Sequence, residues 1–204
     1  EINEFPSKRF YGGRLEPSPN AINRRLRFSH KPERYAELLD PSRPDIFAEV
    51  HHINRGMRSP EEAEIAAGVA AEALNCGVPP GEIAIVAPYR AQGRLIRQRL
   101  HELARGISPD GLTEIVVDTV ERIQGQERDI VIVSLTTSDP AHAAQRADFY
   151  FQPNRLNVAI TRPRVKRIVI GSPVLFTASP NDKKLRSWVD NFRDQYEQSH
   201  VVVL

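Results

Sequence analysis

Apolar residues along this chain alternate between short β-branched runs and longer stretches with helical spacing. Residues 46–53, IFAEVHHI, mix apolar and β-branched side chains and predict a strand, punctuated by Asn54 and Gly56. Ser59, Pro60 and Glu62 follow with capping-box spacing and a proline at the first helical position. The alanine-rich segment after them closes on Gly77, so a helix is predicted, with Ser59 and Glu62 as its cap. Residues 83–89, IAIVAPY, form an almost continuous apolar run, as in a strand covered on both faces, and RAQGRLIRQRLHEL behind it has helical spacing.

Three further runs rich in Val and Ile, EIVVDTV (114–120), DIVIVSL (129–135) and RIVIGS (167–172), predict core strands. A long polar stretch over 136–153 reads as a loop. After it RLNVAIT is expected to be helical, because Leu156, Val158, Ala159 and Ile160 include an i, i+3, i+4 set. The final segment, DKKLRSWVDNFRDQYEQ, puts Leu185, Trp188, Val189 and Phe192 on one helical stripe, with Trp188 as a core anchor. Strand and helix patterns alternate, which predicts an α/β protein: a three-layer sandwich around a mainly parallel sheet with right-handed crossovers.

Composition narrows the class. With 204 residues, 40% of them hydrophobic and 26% charged, the chain suffices for one well-buried domain, read as a core over 46–198 behind a linking segment over 1–45. Eleven Gly and sixteen Pro are spread rather than clustered, so no segment has the make-up of a long disordered linker. There is no run of about eighteen apolar residues and no signal-peptide pattern, so no membrane partner and a cytoplasmic location are expected. Cys76, the single cysteine, is read as a small buried residue. The chain starts at Glu1 and its one methionine is Met57, from which a piece of a longer polypeptide is expected.

Net charge is only +2, but basic residues bunch in RRLR (24–27), RLIRQR (94–99) and RPRVKR (162–167). Local excess of this kind suits a phosphate-rich partner and equally suits solvated helix faces. In open parallel sheets ligands sit beyond the carboxyl ends of strands, so the residues just after each apolar run are the ones to inspect. Tyr89 and Gln92 follow one such run, and ERIQGQERD follows another. Gly125, between Gln124 and Gln126, permits a tight turn or close backbone approach to a ligand, and Glu127 has the acceptor oxygens for ribose hydroxyls; a polar β-turn is the plainer reading. Arg162 and Arg164 precede a core strand, where a guanidinium fork is rigidly supported to meet phosphate oxygens or simply forms surface ion pairs. His51 and His52 are adjacent in a strand pattern and so point to opposite faces, which argues against a shared metal.

The strings VDTVERIQGQERDIVIVSL and NRLNVAITRPRVKRIVIGS resemble motifs V and VI of the superfamily 1 helicases, in the branch of the nonsense-mediated-decay helicase. IAIVAPYRAQ and FPSKRFYGGRL are similar to further segments of that branch, so the matched segments span residues 5–172. The resemblance implies a RecA-like fold of the P-loop NTPase class and the second, C-terminal motor domain of an ATP-dependent helicase. It implies that Arg162 is an arginine finger on the γ-phosphate and that Glu127 lies near the ribose, with Gln124 and Gly125 shaping the loop. Tyr89 and Gln92 are grouped with the nucleotide, and Thr119 and Arg122 with single-stranded DNA or RNA; in the family all four segments lie close to one ligand or the other, and the resemblance leaves open which of the two each residue contacts.

Two departures bear on this. Pro163 stands where the family usually has alanine, and no G-x-x-x-x-G-K-[ST] or acidic pair after a strand is present. ATP and its Mg2+ would therefore be cradled mainly by an N-terminal RecA-like domain of the same protein, and this chain alone is not expected to hydrolyse ATP. Two other functions fit the residues: a RecA-like binding module without catalysis, and an ATP-driven remodeller that does not unwind.

Overall fold

The computed structural model describes residues 2, 4–14, 24–104, 106–123 and 125–204. Its strands are β1 (Asp45–Glu49), β2 (Ile83–Val86), β3 (Val116–Asp118), β4 (Arg128–Ser134), β5 (Pro163–Gly171) and β6 (His200–Val203). They form one sheet in the order β3-β2-β4-β5-β1-β6, and every pairing is parallel. The helices are α1 (Glu4–Phe10), α2 (Pro60–Asn75), α3 (Arg90–Leu103), α4 (Pro109–Glu114), α5 (Pro140–Gln145), α6 (Ala147–Tyr150), α7 (Pro153–Thr161) and α8 (Lys183–Gln198).

Strand parity sorts the core into two faces. Ile46, Ala48, Ile83, Ile85, Ile130 and Ile132 pack with the alanines of α2 and with Ile96 and Leu100 of α3. Their neighbours in sequence, Phe47, Val86, Val131 and Val133, pack on the other side with Ile160 of α7 and Val189 and Phe192 of α8. Period-two alternation in which both sets are apolar requires cover on both faces, so the result is a three-layer α/β sandwich. Each fully buried isoleucine contributes on the order of 1.5–3 kcal/mol relative to exposure. The close fit of α2 to the segment before β1 depends on Gly68, where a Cβ would lie 2.5 Å from the Tyr35 hydroxyl.

Several boundaries differ from expectation. The run over 46–53 is a strand only through Glu49, and the run over 83–89 only through Val86, because each chain then leaves its ladder partners at the sheet edge. The run over 114–120 yields only Val116–Asp118: Ser108 caps a short helix with Pro109 at its start, and that helix consumes Glu114. The strand expected at 167 begins at Pro163, where a missing amide costs no ladder bond at the first residue. The stretch over 136–153 is not a loop: Asp139 caps α5 by accepting from the His142 amide, and Ala143, Ala147, Tyr150 and Phe151 turn inward. Trp188 packs against the same core as expected but is only half-buried, beneath the Lys184 ammonium 5.4 Å from the ring centroid, while Val189 and Phe192 are buried outright. Leu156 lies in α7, but its side chain is outside the described residues, as is Gln124 altogether.

Candidate functional site

The residues singled out by the sequence fall on opposite edges of the sheet. The connection over 119–127 leaves the carboxyl end of β3, crosses β2 through a 3-10 turn at Val120–Ile123, and enters β4 from its amino end. Thr119 therefore stands at the carboxyl edge and Glu127 at the amino edge. The seven residues of β4 put about 20 Å between these edges at roughly 3.3 Å per residue.

At the amino edge, β4 and β5 start side by side, tied by a backbone bond from the Arg128 amide to the Arg162 carbonyl at 3.2 Å. This brings Gly125, Glu127 and Arg162 to one place. Gly125 has φ +80° and Glu127 is exposed; no heavy atom lies within 4 Å of where a Gly125 Cβ would be, so backbone conformation and not crowding selects glycine. Arg162 closes α7, and its Nη2 donates to the Thr161 hydroxyl at 3.1 Å. Its Nε is buried with no partner, and the guanidinium has no carboxylate partner among the described residues. Arg164 differs: Nε donates to Asp129 at 2.8 Å and Nη2 donates to Glu82. Burial draws the Arg164 guanidinium down, yet the Glu82 hydrogen bond and both carboxylate charges outweigh it and raise it above its ordinary value. Arg128, which sequence reasoning passed over, also has a buried, unpartnered Nε at this edge; its place beside Glu127 in the motif was the available signal.

Tyr89 and Gln92 lie at the carboxyl edge, a strand length from Arg162 and Glu127. Gln92 is fully buried: its Oε1 accepts from the Ser59 amide at 2.9 Å, and its Nε2 donates to the Ser59 carbonyl at 2.9 Å and to the Ser134 hydroxyl at 3.2 Å. Tyr89 stacks on Phe149, with centroids 5.6 Å apart, and burial raises its phenol above the usual value. Arg155 covers Phe149 at 4.0 Å and pairs with Glu121 at 2.7 Å. Thr119 is half-buried, and Arg122 is exposed beside Asp118 at 3.5 Å. A cavity of about 40 Å³ opens beside this stack, lined by Pro88, Val120, Glu121, Tyr150 and Arg155 among others.

Glu62 is the residue the sequence misjudged most. Ser59 does cap α2, accepting from the Glu62 amide at 3.2 Å. The Glu62 carboxylate, however, turns inward and is completely buried, taking the Ser134 hydroxyl and the Thr136 amide at 2.7 Å each and the His52 Nε2 at 2.8 Å. His52 Nδ1 meets the Ser138 hydroxyl at 2.8 Å. His51 is exposed, so the two histidines do face opposite ways. The pairing of a carboxylate, an imidazole and a hydroxyl resembles a nucleophilic triad, but Ser138 is 1% exposed and the group serves to knit β1, α2 and β4 together.

The family described as AAA domain (AAA_12) matches residues 1–174. The DNA polymerase alpha-associated DNA helicase A of Schizosaccharomyces pombe is 30% identical over 96% of this chain and 28% of its own length. A regulator of nonsense transcripts 1 homolog from Drosophila melanogaster is 30% identical over 85% of this chain and 14% of its own length. The chain thus spans well under a third of these relatives. A solved C-terminal domain of a possible DNA helicase from Lactobacillus plantarum aligns over 70% of this chain and 82% of its own, at 17% identity and a TM-score of 0.41. With the family matched over most of its length, this chain belongs to the AAA_12 domains, the C-terminal RecA-like domains of superfamily 1 helicases of the nonsense-mediated-decay helicase-like branch.

Proposed function

We propose that this chain is the second motor domain of an ATP-dependent helicase or translocase, with the nucleotide at its amino edge and single-stranded DNA or RNA along its carboxyl edge. The reading is carried by one observation: Arg162 is a supported guanidinium without an acidic partner among the described residues, two residues from an arginine that has two. A cation left unneutralised at the end of a helix, with a buried N–H unsatisfied, fits an anion arriving from outside the domain.

In this reading Arg162 donates to the γ-phosphate and stabilises charge on the transferring phosphoryl group, an effect worth roughly 10³ to 10⁵ in rate in well-studied NTPases. Glu127 accepts from the ribose, and Gly125 gives the loop the left-handed turn that presents it. Mg2+ and the triphosphate cradle belong to the N-terminal RecA-like domain, and closure of the two domains brings Arg162 to the phosphate. Tyr89 moves to the strand side with Thr119 and Arg122, and Gln92 positions the start of α3 without touching either ligand. Strand contact is mostly to phosphate, hence weakly sequence-dependent and strongly salt-dependent.

The test is nucleic-acid-stimulated ATP turnover of the intact protein, wild type against Arg162→Ala, with folding followed by thermal melting. A loss of at least about a hundredfold with an unchanged melt supports the finger. Turnover that survives the change removes the finger role, and absence of turnover in wild type removes the motor reading.

A further inference from the structure

The segment between β1 and α2 exposes two large apolar side chains close together in sequence. Ile53 is 68% exposed and Met57 52% exposed; the other exposed large hydrophobics among the described residues are Tyr11 and the terminal Val203 and Leu204. The segment is nevertheless firmly anchored. The amides of Ser138 and Asp139 donate to the Arg55 carbonyl at 2.8 and 3.2 Å, the Arg55 amide donates to the Ser138 hydroxyl at 3.2 Å, and the Thr137 hydroxyl donates to the Gly56 carbonyl at 2.7 Å. His52 is sunk into the Glu62 network, and Asn54 takes φ +58° at the turn. The backbone around Ile53 and Met57 is thus fixed while both side chains stay exposed.

The surroundings point to the chemistry of the occupant. Arg58, Arg90 and Arg146 are exposed along this same carboxyl edge, following β1, β2 and β4, and none has an ion pair among the described residues. Apolar side chains on an anchored backbone, on the same edge as guanidiniums without ion pairs among the described residues, match a single nucleic-acid strand, whose phosphates take the charges and whose unstacked bases offer flat apolar faces. We propose that Ile53 and Met57 contact the base faces of a single strand crossing the carboxyl edge, with Arg58 on an adjacent phosphate. This rests on the reading that the strand runs along that edge.

The experiment measures binding of a fluorescent oligothymidylate by the intact protein at several salt concentrations, for wild type, for the double variant Ile53→Ser with Met57→Ser, and for Arg58→Ala. Both altered sites are exposed, and unchanged melts verify folding. The double variant is expected to bind about tenfold more weakly with an unaltered salt slope, while Arg58→Ala lowers that slope by about one. On an abasic strand of equal length the difference between wild type and the double variant should vanish. Equal affinity of wild type and double variant for oligothymidylate overturns the base contact and leaves the motor reading standing. Failure of wild type to bind any strand overturns both.

Discussion

Arg162 and Arg164 stand two residues apart at the start of one strand in opposite electrostatic conditions: Arg164 is clamped between Glu82 and Asp129, whereas among the described residues the Arg162 guanidinium meets only the Thr161 hydroxyl. Their substitutions should separate accordingly. Arg164→Ala removes an ion-pair network whose members are about a third exposed, so screening limits the loss to about 1 kcal/mol of stability. Arg162→Ala should leave stability within about 0.5 kcal/mol while abolishing stimulated turnover. Chemical denaturation of both variants beside the turnover assay decides this. A destabilised Arg162→Ala with normal turnover would reverse the assignment.

Glu62 should matter far more to stability than a surface cap. Glu62→Ala strands the Thr136 amide, the Ser134 hydroxyl and the His52 ring in a buried space, and a loss of roughly 3 kcal/mol is expected. Glu62→Gln keeps the shape and one acceptor and should lose less. Urea unfolding provides the comparison; a loss below about 1 kcal/mol for the alanine variant would return Glu62 to the role of an ordinary first-turn residue.

Gly125→Ala forces a Cβ onto a backbone at φ +80°, for which about 1–2 kcal/mol is expected from conformation alone, since nothing lies within 4 Å to clash. Asparagine tolerates that region better, so Gly125→Asn should be milder in both stability and nucleotide-dependent turnover. If the two variants behave alike, backbone geometry is not what glycine supplies there.

These contrasts mark what the sequence could convey. Periodicity made α2, α3 and the central strands legible, because a parallel sheet covered twice imposes apolar runs that few other structures share. The edge on which a residue stands was not legible. The segment 119–127 reads as one polar motif, yet it crosses the sheet, so its two ends stand on opposite edges. Glu62 was misread because capping-box spacing is satisfied by residue types alone, and the pull of Ser134, Thr136 and His52 comes from positions far along the chain. The helices α5 and α6 were missed even though Asp139-Pro140 followed by Ala143, Ala147, Tyr150 and Phe151 has cap and stripe both; short helices broken at Arg146 dilute the period.

Lys166 supplies a test at neutral to alkaline pH. It is 1% exposed, with its ammonium donating to the carbonyls of Asp40 and Arg43, and burial pushes it down from 10.5 to about 7 against the favourable charges of Asp40 and Asp45. Between pH 7 and 10.5 the unfolded chain keeps a proton that the folded protein has released, so this group makes stability rise with pH across that window. Below about pH 7 both states hold the proton, and the contribution is flat at its least favourable. The slope cannot exceed about 1.4 kcal/mol per pH unit. Lys166→Met lacks the titrating group: whatever its constant offset from the lost hydrogen bonds, its stability should rise less than that of wild type from pH 7.5 to 9.5 in parallel urea titrations. Curves that stay parallel would mean that the two carbonyls and the nearby carboxylates keep Lys166 charged throughout, and that the segment over 40–43 is held by a cation at every pH in that range.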